Sequence, residues 1–270
     1  AHISSLEKEL NARLFVRNTK EVKLSDDGKD LYRYARQMID LQKKIEERFE
    51  TGKEESKHLI TIAASTIPAQ YLLPKILMKF NERYPKEQVK LLETDSSQVV
   101  TQIIDHMVDV GFTGTVLEKK HCKYIPFYKD ELVVITPNTE KYQKLLEDMP
   151  DDISWIGGEH LIMREEGSGT RKEAGKQLRA AGINLDKLKI IASIENQETI
   201  KKSVKQGMGI SVISRLAAED EVKYGDLLAF SIPKADQGRD INLVYNKNYQ
   251  MSKSTERFVK IVKEVYGIEE

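Results

Sequence analysis

Apolar positions change their rhythm near residue 57, and that change divides the chain. In HISSLEKELNARLF, Ile3, Leu6, Leu10 and Leu14 recur at helical spacing, with Asn11 as a helix end. LFVRNTKEVKLS then alternates Phe15 with Val22 and Leu24 around the polar turn Asn18-Thr19-Lys20, the pattern of a small β-hairpin or wing. Ser25 followed by Asp26 and Asp27 predicts a helix start, with a hydroxyl cap and acids in the first turn. No proline interrupts the stretch from there to Glu50, where Leu31, Ala35 (or Tyr34), Met38, Leu41, Ile45 and Phe49 fall near heptad spacing. A lone helix with one apolar seam is marginal in water, so this one is expected to pack against a second copy. ETGKEESK, at 50–57, reads as a polar linker.

Beyond the linker, short apolar runs alternate with amphipathic stretches, which predicts an α/β fold with mostly parallel strands. The strand HLITIAA (58–64) leads into STIPAQYLLPKILMKF. There Ser65 or Thr66 would cap a helix, Pro68 sits in its first turn, and Leu72, Ile76 and Phe80 form the buried face. Next come the strand QVKLLET, a helix after Ser96-Ser97 and the strand DVGFTG. ELVVIT (131–136) is nearly all apolar, as a strand covered on both faces would be. EHLIMR, a helix from Thr170 to Ala181, LKIIASI, a helix at 196–206 and GISVIS make a second α/β unit. DLLAFSI, DINLVYN and a helix at about 254–267 close the chain.

Composition narrows the function classes. The 43 basic residues balance 43 acidic ones, so any surface that attracts nucleic acid must be local. One such stretch exists. Between Lys8 and Lys23, five basic residues (Lys8, Arg13, Arg17, Lys20, Lys23) face only Glu9 and Glu21. The single cysteine, Cys122, excludes an intramolecular disulfide and fits a reducing, cytoplasmic compartment. His121 beside it lacks metal-ligand spacing, and neither a metal nor another cofactor is expected. No apolar run approaches the roughly 18 residues of a membrane span, so no membrane partner is expected.

Residues 1–40 resemble the second half of the winged helix-turn-helix of LysR-type transcriptional regulators. The matching features are Ile3-x-x-Leu6-Glu7, Leu14-Phe15-x-Arg17 and Leu24-Ser25-x-x-Gly28. The remainder resembles that family's effector domain through YLLPKIL-x-x-F-x-x-x-YP and the later I-x-x-x-V-x-x-G-x-GI segment. The resemblance spans the whole chain and begins at the recognition helix, so the first half of the DNA-binding domain has no counterpart here. It implies a partial winged helix-turn-helix at 1–24, a linker and dimerisation helix at 25–56, and a periplasmic-binding-protein-like effector domain at 57–270. That domain would have two α/β subdomains, one of 57–137 with 230–270 and one of 138–229, crossing near Thr136–Asn138 and Phe230–Pro233. It further implies a homodimer or homotetramer, double-stranded DNA as partner, and no enzymatic activity. In such a regulator Arg17 and the wing contact the DNA backbone, and exposed recognition-helix positions reach base edges. The matching residues are His2, Ser4 and Ser5, with Arg13, Lys20 and Lys23 in the basic patch; Leu6 and Leu14 would be core. A stand-alone solute-binding protein of the same two-lobed type is the alternative, and it would have no use for residues 1–50.

MREEGSGTRKEAG, at 163–175, is the stretch richest in candidate chemistry. It lacks the four-residue gap of a phosphate-binding Walker loop, and no residue separates Ser168 from Gly169 as a nucleophile elbow requires. A strand, a glycine turn and a helix start remain, where free N–H groups and the helix dipole favour an anion. AASTIP has the same design, so two helix starts would face each other across a crevice at the carboxyl ends of the strands. The resembled family binds its small effector in that crevice. The positions here are Ser65, Thr66, Thr94, Thr113, Arg164, Gly167, Ser168, Gly169 and Thr170. REEGSGTR resembles the branch near regulators of sulfur and cysteine metabolism, which implies a small anion, either a sulfur-type oxyanion or a short carboxylate.

Overall fold

A computed structural model describes residues 2–17, 22–49, 59–148, 152–233 and 238–268. The chain forms two compact units, one of residues 1–57 with 105–107 and one of residues 58–104 with 108–270. In the first, α1 (His2–Glu9) gives way to Asn11, whose φ of 47° turns the chain as a left-handed cap does. Glu7 Oε1 reaches past that end and accepts the N–H groups of Leu14 at 2.8 Å and Phe15 at 3.3 Å. β1 (Phe15–Arg17) and β2 (Val22–Leu24) pair antiparallel, Phe15 opposite Leu24. The turn proposed at Asn18-Thr19-Lys20 lies outside the described residues.

Ser25 caps α2 (Asp26–Phe49): its Oγ accepts the Gly28 N–H at 2.9 Å and donates to the Arg13 carbonyl. Gly28 answers a steric demand, because a Cβ there would stand 2.0 Å from the Leu14 carbonyl oxygen. Leu14 is buried, but Ile3, Leu6 and Leu10 are exposed. Leu6 is thus not the core residue expected, since no element among the described residues of this unit covers that side of α1. On α2 the seam residues Met38, Leu41 and Ile45 are also exposed, Met38 at 72%.

The second unit opens with β3 (Leu59–Ala64), followed by a π-helical turn at Pro68–Leu72 that continues as α3 (Leu73–Arg83). Leu72, Ile76 and Phe80 form its buried face, as their spacing predicts. β4 (Gln88–Glu93), α4 (Ser96–Ile104), β5 (Val110–Thr113) and β6 (Cys122–Asp130) complete a first run. β7 (Leu132–Pro137), α5 (Glu140–Asp148), β8 (His160–Met163), α6 (Gly169–Ala180) and β9 (Lys189–Ser193) begin the next. It continues through α7 (Gln197–Lys205), β10 (Ile210–Ser214), α8 (Arg215–Lys223) and β11 (Leu227–Ser231). β12 (Arg239–Asn246) and α9 (Lys253–Tyr266) follow.

These strands form two five-stranded sheets, ordered β4-β3-β5-β12-β6 and β11-β7-β10-β8-β9. In each, four strands point the same way and one runs against them, β12 in the first and β7 in the second. Each reversed strand is the first one after the chain has changed sheets. The crossings are therefore Asp130–Leu132 and Ser231–Arg239, and the first is not at Thr136–Asn138 as the sequence suggests. Residues 132–137 belong to the second lobe, as do 230 and 231. Pro137 reads as a lobe boundary, yet it ends a strand whose six residues are all buried between β10 and β11. The polar pair Asp130-Glu131, just before the apolar run, is where the chain leaves the first sheet.

Both crossings are tied together. Arg215 Nη2, at the start of α8, bonds Glu131 Oε1 at 2.8 Å on one crossing and Ser231 Oγ at 3.0 Å on the other. The hydrogen bond from Arg215 holds the Glu131 carboxyl below the usual carboxylate range, against the opposing effect of burial. In the first lobe α9 packs on α3 through Phe258 and Phe80, ring centroids 5.2 Å apart, and Arg83 grips Glu264. The second lobe has its own core, where Trp155 meets Phe230 at 5.0 Å. Cys122 is buried at the start of β6 beside Val99, Ile103 and Val108, and burial pushes its thiol up to about 11.

Candidate functional site

The carboxyl ends of β3, β4 and β5 face the end of β8 and the start of α6 across a narrow cleft open to solvent. Open α/β sheets bind ligands at this edge because helix starts and strand ends leave backbone donors unused there. The first lobe contributes Ser65 and Thr66 after β3, Thr94 to Ser96 after β4, and Gly114 after β5. The second contributes Arg164 and Glu165 after β8 and the α6 start from Ser168 to Thr170. Arg239, first residue of β12, lines the same space.

Hydroxyls and arginines are held in defined positions. Ser168 is the N-cap of α6, its Oγ accepting the Arg171 N–H at 3.4 Å. The π-helical segment after β3 has no side-chain cap at its N-cap, Ile67; Thr66 Oγ1 instead accepts from Arg164 Nη2 at 3.4 Å. Arg164, 5% exposed, sends Nε and Nη2 to the two oxygens of Glu165 at 2.7 and 2.8 Å. Arg239, 4% exposed, bonds Asp130 Oδ2 through Nε and Nη2, at 2.8 and 2.7 Å, and Thr170 Oγ1 through Nη1 at 3.0 Å. Asp130 also accepts from Ser214 Oγ at 2.6 Å. One buried ion pair thus links the first crossing, the strand after the second crossing, and the α6 start.

Of the cleft positions expected from sequence, Ser65, Thr66, Thr94, Arg164, Ser168, Gly169 and Thr170 line the space. Thr113 and Gly167 do not. Thr113 is fully buried behind the wall, its hydroxyl donating to the Thr115 carbonyl at 2.9 Å, and Gly114 takes its place. Gly167 abuts the opposite lobe, where a Cβ would stand 2.9 Å from the Asp95 carboxyl carbon. A Cβ on Gly169 would stand 2.8 Å from Ser96 Oγ. The glycines of GSGT therefore let the second lobe close against the start of α4, rather than only letting a ligand approach the backbone. Arg171 lies outside the lining, its Nη1 spent on the Arg164 carbonyl at 2.8 Å.

Sequence reasoning missed Asp95, Ser96, Glu165 and Arg239. The first two had a usable signal, because Asp95-Ser96-Ser97 precedes a helix just as Ser65-Thr66 does. Arg239 had none, since its place depends on the return of the chain to the first sheet. In the first unit His2, Ser4 and Ser5 are exposed on α1, and Arg13 and Lys23 are exposed near the hairpin. Arg17 lies in β1 with its side chain outside the described residues, as is all of Lys20.

Residues 53–267 match the family described as the LysR substrate binding domain. The uncharacterized HTH-type transcriptional regulator MJ0300 of Methanocaldococcus jannaschii is 29% identical over 268 residues, covering 98% of this chain and 88% of the relative. The HTH-type transcriptional regulator CysL of Bacillus subtilis is 25% identical over 265 residues, 98% and 87% of the two chains. Among solved structures, the regulatory domain of Synechocystis PCC6803 CcmR in complex with 2-PG has the same fold. It aligns with a TM-score of 0.68 at 24% identity, over 77% of this chain and 97% of that one.

Proposed function

Because the chain belongs to the LysR family of transcriptional regulators, with an effector-binding domain over residues 53–267, we propose that a small anion held in the cleft between its lobes controls it. The anion would be a sulfur-type oxyanion or a short carboxylate. The observation that carries this reading is the convergence of Thr66 and Thr170, from opposite lobes, on a space flanked by two buried arginines. The CcmR domain, of the same fold, holds the small ligand 2-PG, which supports a small ligand here. Neutral hydroxyl donors suit a signal that must leave when its concentration falls. Residues His2, Ser4, Ser5, Arg13, Arg17, Lys20 and Lys23 form the proposed DNA surface, whose basic members neutralise phosphates and fix register.

Thr66→Ala and Thr170→Ala test the cleft. Each removes one hydrogen bond to a charged ligand, worth about 1.5–3 kcal/mol, and is expected to weaken effector binding roughly ten- to a hundredfold by calorimetry. DNA affinity without effector should stay near wild type. Arg17→Ala should do the reverse, lowering DNA affinity and its salt dependence alone. Wild-type effector affinity in both threonine variants would move the site elsewhere.

The exposed Met38, Leu41 and Ile45 seam of α2 supports pairing of two copies along this helix. A two-fold pair of winged heads would then require a pseudo-palindromic operator. Leu41→Asp places a charge in that seam and is expected to reduce the mass seen by light scattering at tens of micromolar. An unchanged mass would reject α2 as the pairing surface.

A further inference from the structure

The positive charges at the cleft are already matched. Arg164 is neutralised by both oxygens of Glu165, and Arg239 by Asp130 behind it. A further carboxylate, Asp95, lines the wall, and among the described residues no arginine or lysine pairs with it. Its Oδ1 accepts the N–H groups of Ser97 at 2.7 Å and Gln98 at 2.9 Å. Beside it Ser96 Oγ, in a residue 1% exposed, has no hydrogen-bond partner among the described residues. A buried hydroxyl left without a partner marks a place where another polar group belongs.

These groups ask two things of a ligand. A divalent oxyanion entering here would meet the Asp95 charge with no unmatched cation to offset it, and low local polarity strengthens that repulsion. An acceptor-only ligand would also leave Asp95 Oδ2 facing acceptors alone. A hydrogen-bond donor on the ligand relieves both problems, because Asp95 Oδ2 and Ser96 Oγ can each accept from it.

We propose that the effector is a short molecule with a single carboxylate and a hydroxyl or ammonium group on the adjacent carbon. Its carboxylate lies toward Thr66 and Thr170 and its donor toward Asp95 and Ser96. This rests on the cleft reading above and narrows it to the carboxylate side. The arrangement would let one molecule touch both lobes, with one end of it recognised by each kind of group.

Calorimetry on the full chain tests it with lactate, glycerate, glycine and serine, against acetate, sulfate and thiosulfate as ligands without that donor. At least one hydroxy or amino acid should bind about tenfold or more tighter than acetate and both oxyanions. Asp95→Asn keeps the acceptor for Ser97 and Gln98 while removing the charge. It should cut the preference to within about threefold and raise sulfate affinity. Ser96→Ala, which leaves the helix start intact, should lower affinity for the preferred acid. If sulfate or thiosulfate bound best and Thr66→Ala weakened it, the cleft would stand and this narrowing would fall. If no member of the panel bound, or the preferred acid ignored Asp95→Asn, Thr66→Ala and Thr170→Ala alike, both would fall.

Discussion

Arg239→Met is expected to lower the unfolding free energy of the larger unit by about 3–5 kcal/mol, the typical cost of stripping the partner from a buried charge. Asp130 is 1% exposed, so water cannot replace the guanidinium that now faces Oδ2. Methionine fills much of the volume but offers no donor, and among the described residues Ser214 Oγ is left as the only side-chain donor to Asp130. The same substitution releases Thr170 from Nη1, so the α6 start loses its link to the strand that follows the second crossing. Urea denaturation followed by tryptophan fluorescence reads the change, since Trp155 is the single tryptophan and packs in the second lobe. Adding Asp130→Asn to Arg239→Met should recover part of the loss, because the orphaned charge is removed with its partner. A loss under about 1 kcal/mol, or no recovery in the double variant, would mean that the pair is not the electrostatic centre of the crossing.

Gly28→Ala should disable DNA binding while leaving effector binding untouched. A methyl at this position would lie 2.0 Å from the Leu14 carbonyl oxygen and 2.9 Å from its carbon, and both are backbone atoms that no rotamer change can move. Relief requires α2 to back away from the segment that enters the hairpin. That would break the capping contacts that Ser25 makes with Gly28 and with the Arg13 carbonyl. Overpacking of this kind costs about 1–3 kcal/mol, here concentrated in a small unit. On the proposed DNA surface, displacing the head from α2 should lower affinity for the protein's own upstream DNA at least about tenfold by anisotropy. The melting of the larger unit should not shift. Retained DNA affinity would show that the head tolerates displacement from α2.

What could be read in the sequence was local. Leu72, Ile76 and Phe80 declared a buried helix face by spacing alone, and Ser25 with two following acids declared a helix start. Both depend on residues a few positions apart. Glycine-rich GSGT was also recognisable as a helix entrance, but the partners that explain its glycines, Asp95 and Ser96, lie about seventy residues earlier in the other lobe. Arg239 and Asp130 are more than a hundred residues apart and meet only because two crossings bring their strands together. The first boundary was misplaced for a related reason. Pro137 is a strong local stop, whereas a change of sheet needs no special residue and is written only in which strands become neighbours.

Cys122 sits on β6, the edge strand that runs directly into the first crossing. With its thiol raised from 9.0 to about 11, the reactive thiolate at neutral pH is about a hundredfold scarcer than for an ordinary cysteine of that reference value. Alkylation in the native state must then wait for that edge to open, and the chain has no second thiol to confuse the signal. The rate of labelling becomes an internal clock for opening of β6 at its start, the end remote from the crossing at Asp130.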